Sequence, residues 1–512
     1  MPKLFITTPI YYSSGKPHIG HAYTTILADV IARYKRAIGY DVLFLTGMDE
    51  HGQKIENTAK KNNKNVQTML DEISTIFQQL WVKLNIKYDC FVRTTNTKHI
   101  EAAKKVFSNL WERNFLYLSN WHGYYCINCE ENYSLDQIVK KDDKLFCKVG
   151  HEISLRNEES YFLKISLFKD WIKQQIQKVG FIIPESRVNE LLNSFINVGL
   201  EDLSVTRTSF DWGIKINQNP KHIIYVWIDA LMSYLTGLGY LTDNDTLFKK
   251  YWNANDCQRV HLMSKEITRF HCIYWPILLK MQDLKLPDKI ISHGWIITKT
   301  GKMSKSLGNV IDPNIYIEKY GSDALRYFLI SQTSYERDSI FSDELFINII
   351  NSHLANNYGN LFSRISTMIF KYCHGLVPKL NKKTLNDFDK KILKERANII
   401  NKYKILIENF DITDLVNLLQ SQYSNINKYI DTTQPWSLAK DVNNIDKLFN
   451  VLNISFNCMF DLMILLSPIL VKTTLAIEQA LNISISFANL NKDWYNLKLV
   501  NIPPLFIRIN KK

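Results

Sequence analysis

The opening stretch "MPKLFITTPIYY" lacks the charged-then-apolar layout of a secretory signal. The chain has no membrane-spanning run either, since the longest apolar stretch, "FDLMILLSPILV", is too short to cross a bilayer and contains a proline. Cysteine is sparse, eight in 512 residues, which excludes a disulfide framework. Four of the eight, Cys90, Cys257, Cys272 and Cys373, stand alone in mostly apolar or aromatic surroundings that suit buried thiols. No internal repeat is apparent. These absences lead us to expect a soluble, cytoplasmic protein with no membrane partner.

What is present narrows the field further. A chain of this length splits into roughly two to four domains, and an apolar content of 46% excludes wholesale disorder. The net charge of +13 points toward a polyanionic partner. Stretches such as "AKKNNKNV" and "KLNKKTLNDFDKK" read equally well as solvated helix faces, so charge alone does not decide.

The first third alternates strand and helix. "KLFITTPI" reads as a strand, "HAYTTILADVIARYKRAIG" as a helix with Ile26, Val30 and Ala37 on one side and Gly39 closing it, and "DVLFLTG" as a second strand. The pattern resumes in "HIIYVWIDALMSYL", "RVHLMSKEITRFHCIYWPILL" and "DKIISHGWII", and it predicts an α/β fold with a parallel sheet and crossover helices. We expect one half of the sheet domain in residues 1–115, an insertion of different texture in 116–215, the second half in 216–295, a loop-bearing connection in 296–350 and a separate all-helical domain in 351–512.

Two short segments carry chemistry. In "SGKPHIGHAYT", His18 and His21 share one face of a first helical turn if Pro17 opens the helix, where unpaired N–H groups and the helix dipole suit a phosphate. In "GKMSKSLGN", Lys302 and Lys305 can reach a polyphosphate as mobile point charges, and Gly301 and Gly308 let the backbone close over it. Surface histidines and a solvated turn are the plain alternatives, but the pair together reads as an electrostatic site for phosphoryl or nucleotidyl transfer. A third cluster, Cys126-x-x-Cys129 with Cys147 and His151, offers three thiolates and an imidazole, a set that closes a tetrahedral structural zinc site.

His18-Ile19-Gly20-His21 and Lys302-Met303-Ser304-Lys305-Ser306 reproduce the two nucleotide-binding motifs of class I aminoacyl-tRNA synthetases. Around them "TTPIYY", "LTGMDEHGQKI", "SVTRTSFDWGI", "YVWIDALMSYL", "RFHCIYWP", "SHGWI" and "PWSLAK" resemble methionyl-tRNA synthetases over almost the full length. The resemblance implies a Rossmann-type catalytic domain, an inserted connective domain with a zinc knuckle, and a C-terminal helical anticodon-binding domain. It implies ligation of methionine to its tRNA with ATP and Mg2+, with His18, His21, Lys302 and Lys305 stabilising the transition state. Gly20, Ser264, Glu266, Ile296, Ser304 and Ser306 join those lysines around ATP. By the same resemblance Ile10, Tyr12, Trp227, Ala230, Tyr234 and His271 line the methionine pocket, Asp49 holds the ammonium group, and Arg207 is a further basic residue of the active site. Asn360, Arg364 and Trp436 match anticodon readers.

One departure stands out. The family usually has Gly-Lys-Asp where this chain has Ser264-Lys265-Glu266, so the resemblance implies crowding beside the ribose and a weakened ATP Michaelis constant. The chain ends soon after "PPLFIRINKK", without the appended dimerisation domain of some relatives, and a monomer is expected. Sister enzymes for leucine, isoleucine or valine would carry a larger editing insertion. One for cysteine would keep a zinc in its catalytic site and lacks this tryptophan–tyrosine pocket. The remaining alternative is a catalytically impaired, synthetase-like tRNA-binding protein.

Overall fold

The computed structural model describes residues 1–127, 131–133, 138–147, 150–303 and 308–510. Its central sheet has six strands: β1 (Lys3–Tyr12), β2 (Asp41–Asp49), β3 (Cys90–Arg93), β4 (Ile182–Ile183), β5 (Cys257–Ser264) and β6 (Lys289–His293), in the order β3-β2-β1-β5-β6-β4. Every neighbouring pair runs parallel, as the alternating pattern predicted. Helices cover both faces, which is why β2 is buried from Val42 to Asp49 and reads as an almost unbroken apolar run. The chain lays β2 and β3 to one side of β1 and β5 and β6 to the other. The reversal between β1 and β5 opens a crevice at the carboxyl ends of the strands. In β1 the register slips between Thr7 and Ile10, and Pro9, which has no N–H to give a neighbouring strand, sits in the slip.

Helix α1 (Ile19–Ala37) follows β1, and α2 (Thr97–Glu112) and α3 (Val226–Thr236) pack further along the chain. The sequence suggested that Pro17 opens α1. Instead His18 is the N-cap in extended geometry, and Pro17 stands just before it. The expected single apolar side also proves too narrow. α1 is buried nearly all round, including Asp29 and Lys35, while Ala37 at its end is exposed. The reason is that α1 lies between the sheet and the helical half of the molecule. Asp29 pairs at 2.8 Å with Arg326 on α4 (Ser322–Ser331), and Lys35 pairs at 2.5 Å with Glu408. Arg326 also donates to the carbonyls of Pro468 and Ile469.

One continuous apolar core runs from Leu4 and Ile6 through α1 into the helices after residue 350, so the C-terminal segment expected as a separate domain shares its core with the sheet. Within it, Val442–Leu466 is long and apolar enough to cross a membrane, but 94% of its most apolar window is buried inside the protein, and that burial accounts for its composition. In the predicted insertion, Leu203–Ser204, Ser154–Leu163, Leu116–Cys126 and Glu131–Tyr133 form an antiparallel sheet in that order. The segment is nevertheless not one unit. β4 belongs to the main sheet, and Ile172, Ile176 and Phe181 sit in the core beneath it, because a two-residue strand shows no alternation from which to read its place.

Candidate active site

The strands deliver the site. The last residues of β1, β2, β5 and β6, namely Tyr12, Asp49, Ser264 and His293, line a single cavity of about 400 Å³. The start of α1 adds His18, Gly20 and His21, and α3 adds Trp227, Ala230 and Tyr234. Ile10, Glu266, His271, Ile296 and Lys302 also line the cavity. Every predicted small-molecule contact among the described residues therefore lies here, except Arg207. Ser304, Lys305 and Ser306 fall outside the described residues. Their flanks do reach the site: Met303 lines it, and the backbone N–H of Ile19 donates to the carbonyl of Ile311 at 3.0 Å, tying the chain after the lysine loop to the start of α1.

Hydrogen bonds fix the protonation pattern of the histidines. The N–H of Gly20 donates to Nδ1 of His18 at 3.0 Å, and the N–H of His18 donates to Nδ1 of His21 at 3.0 Å. Both Nδ1 atoms must accept, so in the neutral rings the proton sits on Nε2, a hydrogen-bond donor. The two rings lie 3.9 Å apart and also cap the helix. His271 and His293 are arranged the other way. Each places Nδ1 against a main-chain carbonyl, Ile267 at 3.0 Å and Gly294 at 2.7 Å, so Nδ1 donates and Nε2 accepts. The Tyr234 hydroxyl accordingly donates to His271 at 2.7 Å, and Thr24 to His293 at 2.9 Å. Burial lowers both imidazoles to pKa values of about 4, so they are neutral at pH 7. Burial likewise raises the Tyr234 phenol above its ordinary value.

At this end of the cavity Trp227 stacks on Phe270, rings 3.6 Å apart and 8° from parallel, and the wall of indole, phenol and neutral imidazole suits a polarizable thioether. Asp49, buried at the end of β2, supplies a carboxylate on this side. Toward Ser264 the character changes. The ammonium of Lys302 lies 4.0 Å from the centre of the Trp295 ring and that of Lys265 lies 4.3 Å from it, while the indole N–H donates to Glu266. Lys265 turns outward to Asp338 at 2.7 Å. The extra methylene of Glu266, read from sequence as crowding, thus lies in the side chain that reaches Trp295.

Trp295, His293, Lys16 and Lys54 also line the cavity and were missed. The signal for the first two was the stretch "SHGWI", which closes a buried strand at the sheet's carboxyl edge. Arg207 stands one layer back from the wall. It is buried, donates to the Thr206 carbonyl at 2.7 Å and the Ser204 hydroxyl at 2.9 Å, covers the Tyr225 ring at 4.3 Å and approaches Glu158 at 3.7 Å. Among the described residues it lies outside the cavity's lining, against Glu158 and Tyr225.

Two sites lie elsewhere. Cys126, Cys147 and His151 bring their ligand atoms within 4.8 Å of one another, with the two sulfurs 3.9 Å apart. Thiolates about 2.3 Å from a tetrahedral zinc would be separated by about 3.8 Å, so the donor set fits that metal; Cys129 lies outside the described residues. In the helical half, Arg364 stands one turn after Asn360 on α5 (Asn360–Cys373), with its guanidinium 5.4 Å from the Trp436 ring and 2.5 Å from Asp431. The three predicted anticodon readers thus form one patch, with Asn360 and Trp436 exposed.

A profile of the family described as "tRNA synthetases class I (M)" matches residues 4–142 and 143–366. The methionine–tRNA ligase of Ureaplasma parvum is 49% identical over 518 aligned positions, which span 99% of this chain and 98% of that protein. That of Listeria monocytogenes is 46% identical over 477, spanning 92% of this chain and 71% of its own length. Among solved structures, Mycobacterium tuberculosis methionyl-tRNA synthetase in complex with methionyl-adenylate superposes with a TM-score of 0.93 at 32% identity, covering 99% of this chain and 100% of that one. The apo form of the same enzyme gives 0.87 at 30% identity, covering 100% of this chain and 99% of that one. The crevice at the sheet's switch point gathers His18, Gly20 and His21 of the first motif and Lys302 and Met303 of the second, and the chain belongs to the methionine–tRNA ligases among the class I tRNA synthetases.

Proposed function

We propose that the cavity joins methionine to ATP and then passes the acyl group to the methionine tRNA. The observation that carries this is the pairing of opposite histidine tautomers in one cavity: donor rings at the start of α1 and an acceptor ring against Tyr234. Methionine lies with its thioether among Tyr12, Trp227, Ala230, Tyr234 and His271, beside Ile10, and its ammonium on Asp49. A carboxylate oxygen attacks the α-phosphorus, the bond from that phosphorus to the bridging oxygen breaks, and pyrophosphate leaves. The Nε2–H groups of His18 and His21, the α1 dipole and the ammonium groups of Lys302 and Lys305 stabilise the charge that builds on the phosphates. The substrate supplies the nucleophile, so no protein serine or cysteine has to attack. Mg2+ enters with ATP as part of that substrate. Gly20, Ser264, Glu266, Ile296, Ser304 and Ser306 hold the nucleotide. In the second step a hydroxyl of the terminal adenosine attacks the acyl carbon and AMP leaves.

Cys126, Cys129, Cys147 and His151 would hold a structural zinc that ties the tip of the inserted sheet together, remote from the reacting atoms. Asn360 and Arg364 would pair with base edges of the anticodon, and Trp436 would stack on an unstacked base. Nothing in the comparisons supports the alternative of a tRNA-binding relative without catalysis. ATP–pyrophosphate exchange across the twenty amino acids, without tRNA, tests the reading: methionine alone should support exchange, and exchange with none from folded, tRNA-binding protein would overturn it. Trp436→Ala should lower aminoacylation about tenfold to a hundredfold while exchange survives; equal loss of both would make the indole a folding element.

A further inference from the structure

Behind the methionine end of the cavity lies a buried carboxylate that the reaction does not use. Asp229, in the first turn of α3, is 1% exposed, and both of its oxygens are engaged. His51 approaches one oxygen with Nδ1 at 2.7 Å, and His99 approaches the other with Nε2 at 2.5 Å. A carboxylate only accepts, so both imidazoles must donate there. Burial alone would raise the pKa of Asp229, but the two histidines outweigh it and bring the group down to about 2, so it is ionised at pH 7. His99, on α2, uses its other nitrogen on the Thr236 hydroxyl at 2.7 Å, gripping α3 at two points two turns apart.

The elements joined by this charge carry the two halves of the amino-acid site. β2 ends on Asp49, and it and the two residues that follow have different tasks. Asp49 faces the cavity, Glu50 turns away to Arg93 at 2.7 Å, and His51 turns to Asp229. On α3, Asp229 lies between Trp227 and Ala230, both on the cavity wall. Burying a charge is costly unless its partners are kept, and an apolar pair of equal volume would pack this space without that cost. What the charge adds is a fixed separation between the end of β2 and α3.

We propose that Asp229, through His51 and His99, is a positioning residue that sets the distance between the ammonium-holding Asp49 and the thioether pocket on α3. The proposal rests on the reading of Asp49 and Trp227 given above. The clamp acts on methionine and not on ATP, whose proposed contacts lie on α1, at and just after the end of β5, after β6 and on the lysine loop.

The test measures exchange kinetics with methionine and ATP varied separately, alongside thermal melts, in Asp229→Asn, His51→Ala, His51→Gln and Asp49→Ala. Asp229→Asn and His51→Ala should raise the methionine KM about tenfold, as loss of a charge-assisted hydrogen bond implies, with the ATP KM within about twofold. His51→Gln keeps an amide donor and should restore most of the methionine affinity lost in His51→Ala. Folded Asp229→Asn and His51→Ala with an unchanged methionine KM, or with equal rises for both substrates, would overturn the clamp. If Asp229→Asn fails to fold, the two His51 variants decide alone. A methionine KM unaffected by Asp49→Ala would sink the underlying reading and the clamp with it, whereas a rise there without one at His51 would sink the clamp only.

Discussion

His18 and His21 at one end of the cavity and His271 at the other are chemically the same side chain put to opposite uses. Main-chain N–H groups hold the first pair as Nε2 donors, and a main-chain carbonyl holds the third as an Nε2 acceptor. The difference lies wholly in which backbone group faces Nδ1. At a helix start unpaired N–H groups are available, so an imidazole there is pushed to present a donor, which suits a phosphate. Along a helix interior carbonyls are the nearer partners, so the ring takes the other tautomer and becomes a neutral wall that orders a phenol. A residue-type motif therefore acquires its electrical meaning from the backbone around it.

Removing the donor pair should have the largest effect. His21→Ala is expected to lower the exchange kcat about a hundredfold to a thousandfold with little change in the methionine KM, as for loss of one preorganised donor to developing charge. A loss confined to KM would make His21 a ground-state contact. At the acceptor end Tyr234→Phe removes the hydroxyl that donates to His271. We expect the methionine KM to rise about fivefold to tenfold while kcat holds, measured in the same exchange assay. An effect on the ATP KM instead would break the division of the cavity into two ends.

Acidification probes the comparison through stability. His271 and His293 have folded pKa values of about 4 against an ordinary 6.5, so below pH 6.5 the unfolded chain binds protons that the folded protein refuses. Stability from these groups is full above pH 6.5 and is lost as the pH falls toward 4, at up to about 1.4 kcal/mol per pH unit for each group. Melting temperature followed from pH 7 to pH 4.5 should fall, and His271→Gln should flatten the slope; an unchanged slope would mean that the ring is not held neutral. The smallest effect is expected where sequence placed the departure. Ser264→Gly with Glu266→Asp should lower the ATP KM by no more than about threefold if the shorter acid vacates space beside the ribose, read from exchange at varied ATP. A raised KM would show that the Glu266–Trp295 contact serves the nucleotide more than it crowds it.

Much of this architecture was legible in the sequence. Alternating strand and helix patterns gave the parallel sheet, and the two motifs with their flanking stretches named half of the residues that line the described cavity. What escaped had specific physical causes. β4 is two residues long and carries no periodicity. The helix start moved from Pro17 to Ile19, with His18 as the N-cap, because capping depends on where side-chain acceptors meet N–H groups, which spacing alone does not fix. The partners of the Arg207 guanidinium, a main-chain carbonyl and a tyrosine face, could not be read from its segment. Trp295 and Glu266 acquired their contact only when the turn after β5 met the segment after β6. The helical half looked independent because sequence reports the apolar faces of helices, and here those faces continue a core that begins in β1.

The burial of α1 has a mechanical side. At 19 residues it is a rod about 28 Å long, with His18 and His21 at one tip. Toward the other tip, Asp29 and Lys35 are bolted to Arg326 and Glu408. A rod has no joint along its length, so a tilt of the helical half that keeps those bolts closed must swing the histidine tip. The two ends of the enzyme hence share one moving part.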